Sequence, residues 1–309
     1  MHSRTGTAGT LTLRQKIVRW TLRVGGTVLA LVAVAATVVY AASERRFRRQ
    51  FEVPLHPVPV VADSVTIARG AHVAEIRGCM ACHGQGFSGH VEVDDPMIGR
   101  LAGPNLTMGG RGAELSDADW ERAVRHGVRR DGSPLFIMPA FEHTGMSDED
   151  LGALISYVRS LPKSPNVPPP SYAGPIIRGL FTAGMVMLLS AEEIDHAKAH
   201  PSHVEVRPDA EYGKYLIGLC TGCHGPQLSG GKIPGSPPDW KPAANITPTG
   251  IGRYTENDFI TALRTGRRPD GSAIDKQMPW EHYQHMSDTE LKAIYSYLQG
   301  VPGREYGNR

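Results

Sequence analysis

"CMACHG", residues 79–84, and "CTGCHG", residues 220–225, hold all 4 cysteines of this 309-residue chain. One pattern is written twice with no thiol left over, so the pair needs a joint explanation. Read outward from each copy, the sequence repeats at an offset of about 140 residues, and an internal repeat takes precedence over any local reading. Asn105-Leu106-Thr107 answers Asn245-Ile246-Thr247, and Asp119-Trp120 answers Asp258-Phe259. Asp131-Gly132-Ser133 answers Asp270-Gly271-Ser272, Met138-Pro139 answers Met278-Pro279, and Met146-Ser147-Asp148 answers Met286-Ser287-Asp288. The chain therefore contains two homologous domains, placed at 60–162 and 204–303.

Each unit is read as mostly helical. A short helix precedes the cysteines, a Gly/Pro-rich loop follows them, and a second helix opens on a capping residue, Ser116 or Thr255. Gly127 and Gly266 are the expected stops of that helix. A last helix carries Leu151, Leu154, Ile155 and Val158, matched by Leu291, Ile294, Tyr295 and Leu298, at amphipathic spacing. Strand signals are weak, so the fold class is all-α.

Between the units, residues 163–203 read as a linker. The stretch LPKSPNVPPPS at 161–171 holds five prolines and favours an extended spacer. The apolar run Gly179–Ala191 that follows is too short to span a bilayer and is read as a helix buried between the two domains, with a surface that docks on a membrane partner as the alternative. At the other end, Val24–Ala42 is a 19-residue stretch without a charge, flanked by basic residues on both sides. It is long enough to span and longer than the usual apolar core of a signal peptide. Residues 1–50 are thus expected to be an N-terminal tail and membrane anchor, whose orientation the basic residues at both ends leave open. A net charge of +2 and the absence of a basic run interleaved with aromatics set nucleic acid aside as a partner.

Cys-x-x-Cys-His is the attachment pattern of c-type haem. Two thiols on one turn of chain add to vinyl groups on one porphyrin edge, and the next residue presents imidazole to iron. A thioredoxin-like redox pair would need a strand–helix context that is missing. Zinc held by two cysteines from each copy has no use for a His-Gly after both pairs. The expected cofactors are two covalently bound haem c groups, with Cys79, Cys82, Cys220 and Cys223 as attachment points and His83 and His224 as iron ligands. Met138 and Met278, each in a Met-Pro loop, are the expected sixth ligands, since a soft thioether favours ferrous iron and raises the potential. Met146 and Met286, at the start of the final helix, are read as packing. His126, His143, His282 and His285 are set aside as solvated loop histidines. Carbonyls near Pro104 and at Ala244 are the expected acceptors for the second ring nitrogen of His83 and His224.

With those residues in hand, each unit resembles a class I c-type cytochrome domain. CMACHG, PNLT, the DADW helix and MPAF, with CTGCHG, NITPTG, the NDF helix, TGRRPDGS and MPW, look like the cytochrome subunits of membrane-bound alcohol and gluconate dehydrogenases. The resemblance runs from about Ser64 to Pro302. It implies that the first and last helices of each domain cross closely at a glycine facing an aromatic, Gly70 with Tyr157 and Gly213 with Tyr297. It also implies haem attachment outside the cytoplasmic membrane, hence domains on the periplasmic side of a single-pass anchor and a cytoplasmic N-terminal tail. The function expected is transfer of single electrons between a membrane or periplasmic donor and an acceptor, with a dehydrogenase, a respiratory complex or a soluble cytochrome as partner. The alternative is a dihaem redox enzyme, a peroxidase or sulfur-compound oxidoreductase, with one open haem site. Arg267 and Arg268 are candidates for docking an acidic partner.

Overall fold

The uncharged stretch near the N-terminus lies within helix α1, Leu13–Phe47, whose best 18-residue window has a mean hydropathy of 2.1. The structure, a computed structural model, describes residues 12–309; the start of the expected cytoplasmic tail lies outside the described residues. By length and composition α1 can cross a membrane. Residues up to Arg46 form a unit of their own, and Phe47–Arg309 form a second.

In the second unit the repeat becomes two helical domains. The first contains α2 (Ser64–Ile76), α3 (Cys79–His83), α4 (Asp117–His126) and α5 (Asp148–Ser160). After a connecting helix α6 (Pro175–Thr182), the second contains α7 (Ala210–Leu216), α8 (Gly218–His224), α9 (Pro248–Ile251), α10 (Glu256–Thr265), α11 (Trp280–Tyr283) and α12 (Asp288–Gly300). The capping signals act as expected. Ser116 and Thr255 each form a reciprocal capping box, with Asp119 and Asp258, and Gly127 and Gly266 end their helices in the left-handed region at φ 63° and 65°.

First and last helices of each domain cross at a glycine. A Cβ on Gly70 would lie 1.9 Å from the Ala153 carbonyl oxygen and 2.7 Å from the Tyr157 Cβ; at Gly213 the distances are 2.0 Å to Ala293 and 2.7 Å to Tyr297. No other residue allows so close an approach of two backbones. Leu151, Ile155 and Val158 then fill one core, and Leu291, Ile294 and Leu298 the other. Met146 and Met286 are buried in those cores, as packing requires.

Two features depart from the sequence reading. The mostly helical fold includes a three-stranded antiparallel sheet, β1 (His90–Asp95), β2 (Gly99–Gly103) and β3 (Tyr172–Ala173). Exposure alternates along HVEVDD in β1 with the period of 2 that a half-buried strand requires. The apolar run Gly179–Ala191 is not one buried helix. Only its first part belongs to α6; Gly184 turns the chain at φ 71°, Met185 and Met187 are exposed, and an extended strap follows. Phe181, Leu188 and Leu189 of this run bury themselves with Phe47 and Phe136, while the strap hydrogen-bonds to the Met138 loop.

The proline-rich stretch is likewise a fastened segment. Asn105 Nδ2 donates to the carbonyls of Ser164 and Asn166, each at 2.8 Å, and Ser164 N donates to Thr107 Oγ1 at 3.0 Å. The second domain repeats the arrangement: Asn245 Nδ2 donates to Arg304 O and Arg304 N to Thr247 Oγ1. In both copies the Asn carbonyl oxygen accepts from the Thr backbone and hydroxyl.

The domains meet through equivalent elements. His72 on α2 contacts Glu290 on α12, and Tyr215 on α7 donates to Asp150 on α5 at 2.5 Å. Each acid is the N3 residue of the final helix, so the interface follows a pseudo-twofold relation. Ile76 of the first domain also joins the core of the second.

Candidate haem-binding sites

Each Cys-x-x-Cys-His pattern folds as a short helix, α3 and the end of α8, closed by Gly84 or Gly225 at φ 74° and 79°. The turn places the two thiols on one side and the imidazole at the C-terminal end. None of the 4 cysteines is spent in a disulfide. Burial pushes Cys79 up to about 11 and Cys220 up to about 12, and raises Cys82 and Cys223 as well.

Both histidines are oriented by carbonyls of the loop that follows. His83 Nδ1 lies 3.2 Å from Pro104 O, and His224 Nδ1 lies 2.7 Å from Ala244 O. A carbonyl only accepts, so each Nδ1 carries the proton and each Nε2 keeps its lone pair. Burial lowers both pKa values, which favours the neutral ring that ligation requires. Gly103 permits this loop to lie against the attachment helix: a Cβ there would come within 1.9 Å of Cys82 O.

Met278 lines the same cleft as Cys220, Cys223 and His224, walled by Ile246, Ile251, Phe259, Leu263 and Leu298. In the first domain Met138 and Cys79 pack on one core with Phe87, Trp120 and Leu154. The Met138 loop is held by the strap: Ser190 Oγ donates to Met138 O at 2.6 Å, and Ile137 N to Leu188 O at 2.7 Å. The residues fit a porphyrin. The second cleft is apolar with an imidazole, a thioether and two thiols converging, and in the first domain the indole Nε1 of Trp120, 3% exposed, is a buried donor with no protein acceptor. The carboxylate edge of a porphyrin supplies acceptors of that kind.

The remaining candidates part ways. His126 and His143 are not solvated: they are 0% and 5% exposed. His126 sits at the end of α4 against His196 and His200, and burial drives His143 down to about 3. His282 and His285 face Glu75 across the domain boundary. Arg267 and Arg268 donate to carbonyls of their own hairpin, Gly271 O and Ala273 O.

Three groups near the attachment helices gave no signal in sequence. Glu142 of the first domain reaches the second attachment helix, where a Cβ on Gly222 would fall 2.0 Å from its Oε1; burial pushes its carboxyl up to about 7. Tyr283 Oη donates to Leu219 O at 3.1 Å. Arg309 Nη1 donates to Cys223 O at 2.7 Å. All three contacts are set by tertiary packing.

Comparison with known proteins agrees with this geometry. Residues 65–158 match the family model "Cytochrome C oxidase, cbb3-type, subunit III", and residues 210–302 match "Cytochrome c". The chain is 32% identical over 280 residues to the cytochrome c subunit of a quinone-type alcohol dehydrogenase from Gluconacetobacter polyoxogenes, covering 78% of this chain and 57% of that one. It is 29% identical over 307 residues to the fructose dehydrogenase cytochrome subunit of Gluconobacter japonicus, covering 89% and 60%. With the gluconate 2-dehydrogenase cytochrome c subunit of Pantoea cypripedii it shares 30% identity over 287 residues, covering 79% and 61%. The chain thus spans somewhat over half the length of these relatives. Both halves of the repeat match cytochrome models, and on that ground the chain belongs to the c-type cytochromes, with two tandem cytochrome c domains and two covalently bound haem c groups.

Proposed function

We propose that this chain is a membrane-anchored electron-transfer subunit that receives single electrons from a dehydrogenase and passes them to a second redox partner. In this reading Cys79 and Cys82 hold one haem and Cys220 and Cys223 the other. His83 with Met138, and His224 with Met278, complete the two iron sites. The haem iron supplies a one-electron couple when bound. The protein's own part is to fix imidazole tautomers, bury the ligands among apolar side chains and hold the methionine loops closed.

The observation that carries the proposal is the doubling of one ligand geometry. Both histidines point a lone pair away from a carbonyl-anchored Nδ1, and both methionines stand in equivalent Met-Pro loops. An enzyme with one open iron would differentiate its sites. The relatives, named as subunits of alcohol, fructose and gluconate dehydrogenases, support a dehydrogenase as donor. Haem attachment outside the cytoplasmic membrane, with α1 as anchor, would put both domains on the periplasmic side.

The test uses membranes of the native host, with and without the gene. Adding alcohol, gluconate or fructose should reduce a c-type haem band present only when the gene is intact. The oxidised protein should show a far-red band of methionine–iron ligation. Ready cyanide or peroxide binding without that band would replace this reading with the peroxidase-type alternative.

A further inference from the structure

A second constellation of ligating groups lies away from both haem clefts. One carboxylate oxygen of Glu121 and one ring nitrogen each from His126 and His200 lie within 4.8 Å of one another. Glu121 and His126 are 0% exposed. His126 Nε2 and His200 Nδ1 are both buried without a hydrogen-bond partner, an arrangement that costs free energy unless something accepts the lone pairs.

The protonation pattern can be read from the neighbours. His196 Nε2 is 3.0 Å from the Ala191 carbonyl oxygen and must donate to it. Its Nδ1, 3.0 Å from His126 Nδ1, is then an acceptor, so His126 Nδ1 carries the proton and Nε2 presents a lone pair. A chain from carbonyl through His196 to His126 is the outer-shell support that metal-bound histidines use. Glu121 is oriented by the His56 N–H at 2.8 Å and by Arg125 at 3.3 Å. Arg125 also pairs with Asp148 at 2.7 Å, leaving two carboxylates to one guanidinium and one negative charge in excess for a cation.

We propose that Glu121, His126 and His200 bind one divalent transition-metal ion of the zinc class. Two imidazoles and one carboxylate suit that ion better than the oxygen-seeking Ca²⁺ or Mg²⁺. Donors sit about 2.0–2.2 Å from zinc, so the partly exposed His200 ring turns inward to complete the site. The ion ties the linker, through His200, to helix α4. Because His196 and Ala191 belong to the same linker, it also fixes the strap whose Ser190 holds the Met138 carbonyl.

The test uses the untagged full-length holoprotein in detergent, stripped by a chelator and titrated with zinc sulfate calorimetrically. Metal is counted against iron by mass spectrometry. The expected result is one zinc per two irons, with affinity reduced at least tenfold in His200→Ala while the haem spectrum is unchanged. His203→Ala, exposed and outside the cluster, should bind like the parent. If His200→Ala loses its haem spectrum, the isosteric His200→Gln reads the same difference. Absence of zinc binding, or equal affinity in parent and His200 variant, overturns the proposal, whatever the haem ligands prove to be.

Discussion

His72 Nε2 lies 2.8 Å from Glu290 Oε1 across the boundary between the two cytochrome domains. The hydrogen bond that His72 donates to the Glu290 carboxylate raises the His72 pKa above 6.5 against the cost of partial burial. Burial works to raise Glu290, but the His72 and Ser287 hydrogen bonds prevail and lower it below 4.5. The raised histidine contributes stability that is complete below its unfolded pKa and lost as pH rises through its folded one. The lowered carboxyl contributes above its unfolded pKa and loses that as pH falls through its folded one. The interface is therefore firmest in the mildly acidic window between them. With His72 37% exposed on its side chain, screening limits the effect to about 0.5 kcal/mol. In urea unfolding, the stability difference between the parent and His72→Gln should be larger at pH 6 than at pH 8.5 by about this amount, the buried histidines common to both proteins cancelling in the comparison.

Gly70→Val is expected to destabilise the first domain by about 3 kcal/mol or more, since the new side chain would start 1.9 Å from a backbone oxygen. Gly213→Val should do the same to the second domain. Unfolding followed at the haem absorbance of each variant reports the cost. An unshifted midpoint in both would mean that the crossings are looser than described.

What could be read from sequence was whatever chemistry leaves a local imprint. The repeated pentapeptide, the Ser116 and Thr255 caps and the Gly127 and Gly266 stops all depend on a few residues at fixed spacing, whereas the Gly70–Tyr157 crossing was implied only by the resemblance to cytochrome c domains. The strap at Leu188–Ser190 did not show, because an apolar run has the same composition whether it coils or extends. His126 looked like a surface histidine since its burial is supplied by His196 and His200, some 70 residues away. Glu142 gave no signal for the same reason: its partner helix belongs to the other domain.

Met138→Leu and Met278→Leu should each remove about half of the far-red methionine–iron band, as each touches one of two sites, and each should lower one midpoint potential. The first substitution leaves the strap bond intact, because Ser190 holds the backbone carbonyl of residue 138. Spectroelectrochemistry of both variants identifies which potential belongs to which domain. A full band in either variant would exclude that methionine as ligand.

Asn105→Ala should cost more than Asn245→Ala. Asn105 donates to two carbonyls of the proline-rich segment and accepts from Thr107 N and Oγ1. Asn245 donates to Arg304 O alone while accepting the same pair from Thr247. Each buried group left unpaired costs about 1–3 kcal/mol, so losing two donated bonds to Ser164 and Asn166 exceeds losing one. The expected difference is about 1 kcal/mol after partial rehydration, read as a lower urea midpoint for Asn105→Ala. Limited proteolysis should further show faster cleavage within residues 161–171 in Asn105→Ala than in Asn245→Ala, since that segment then loses two of the hydrogen bonds fastening it to the first domain and keeps the one from Ser164 N to Thr107 Oγ1.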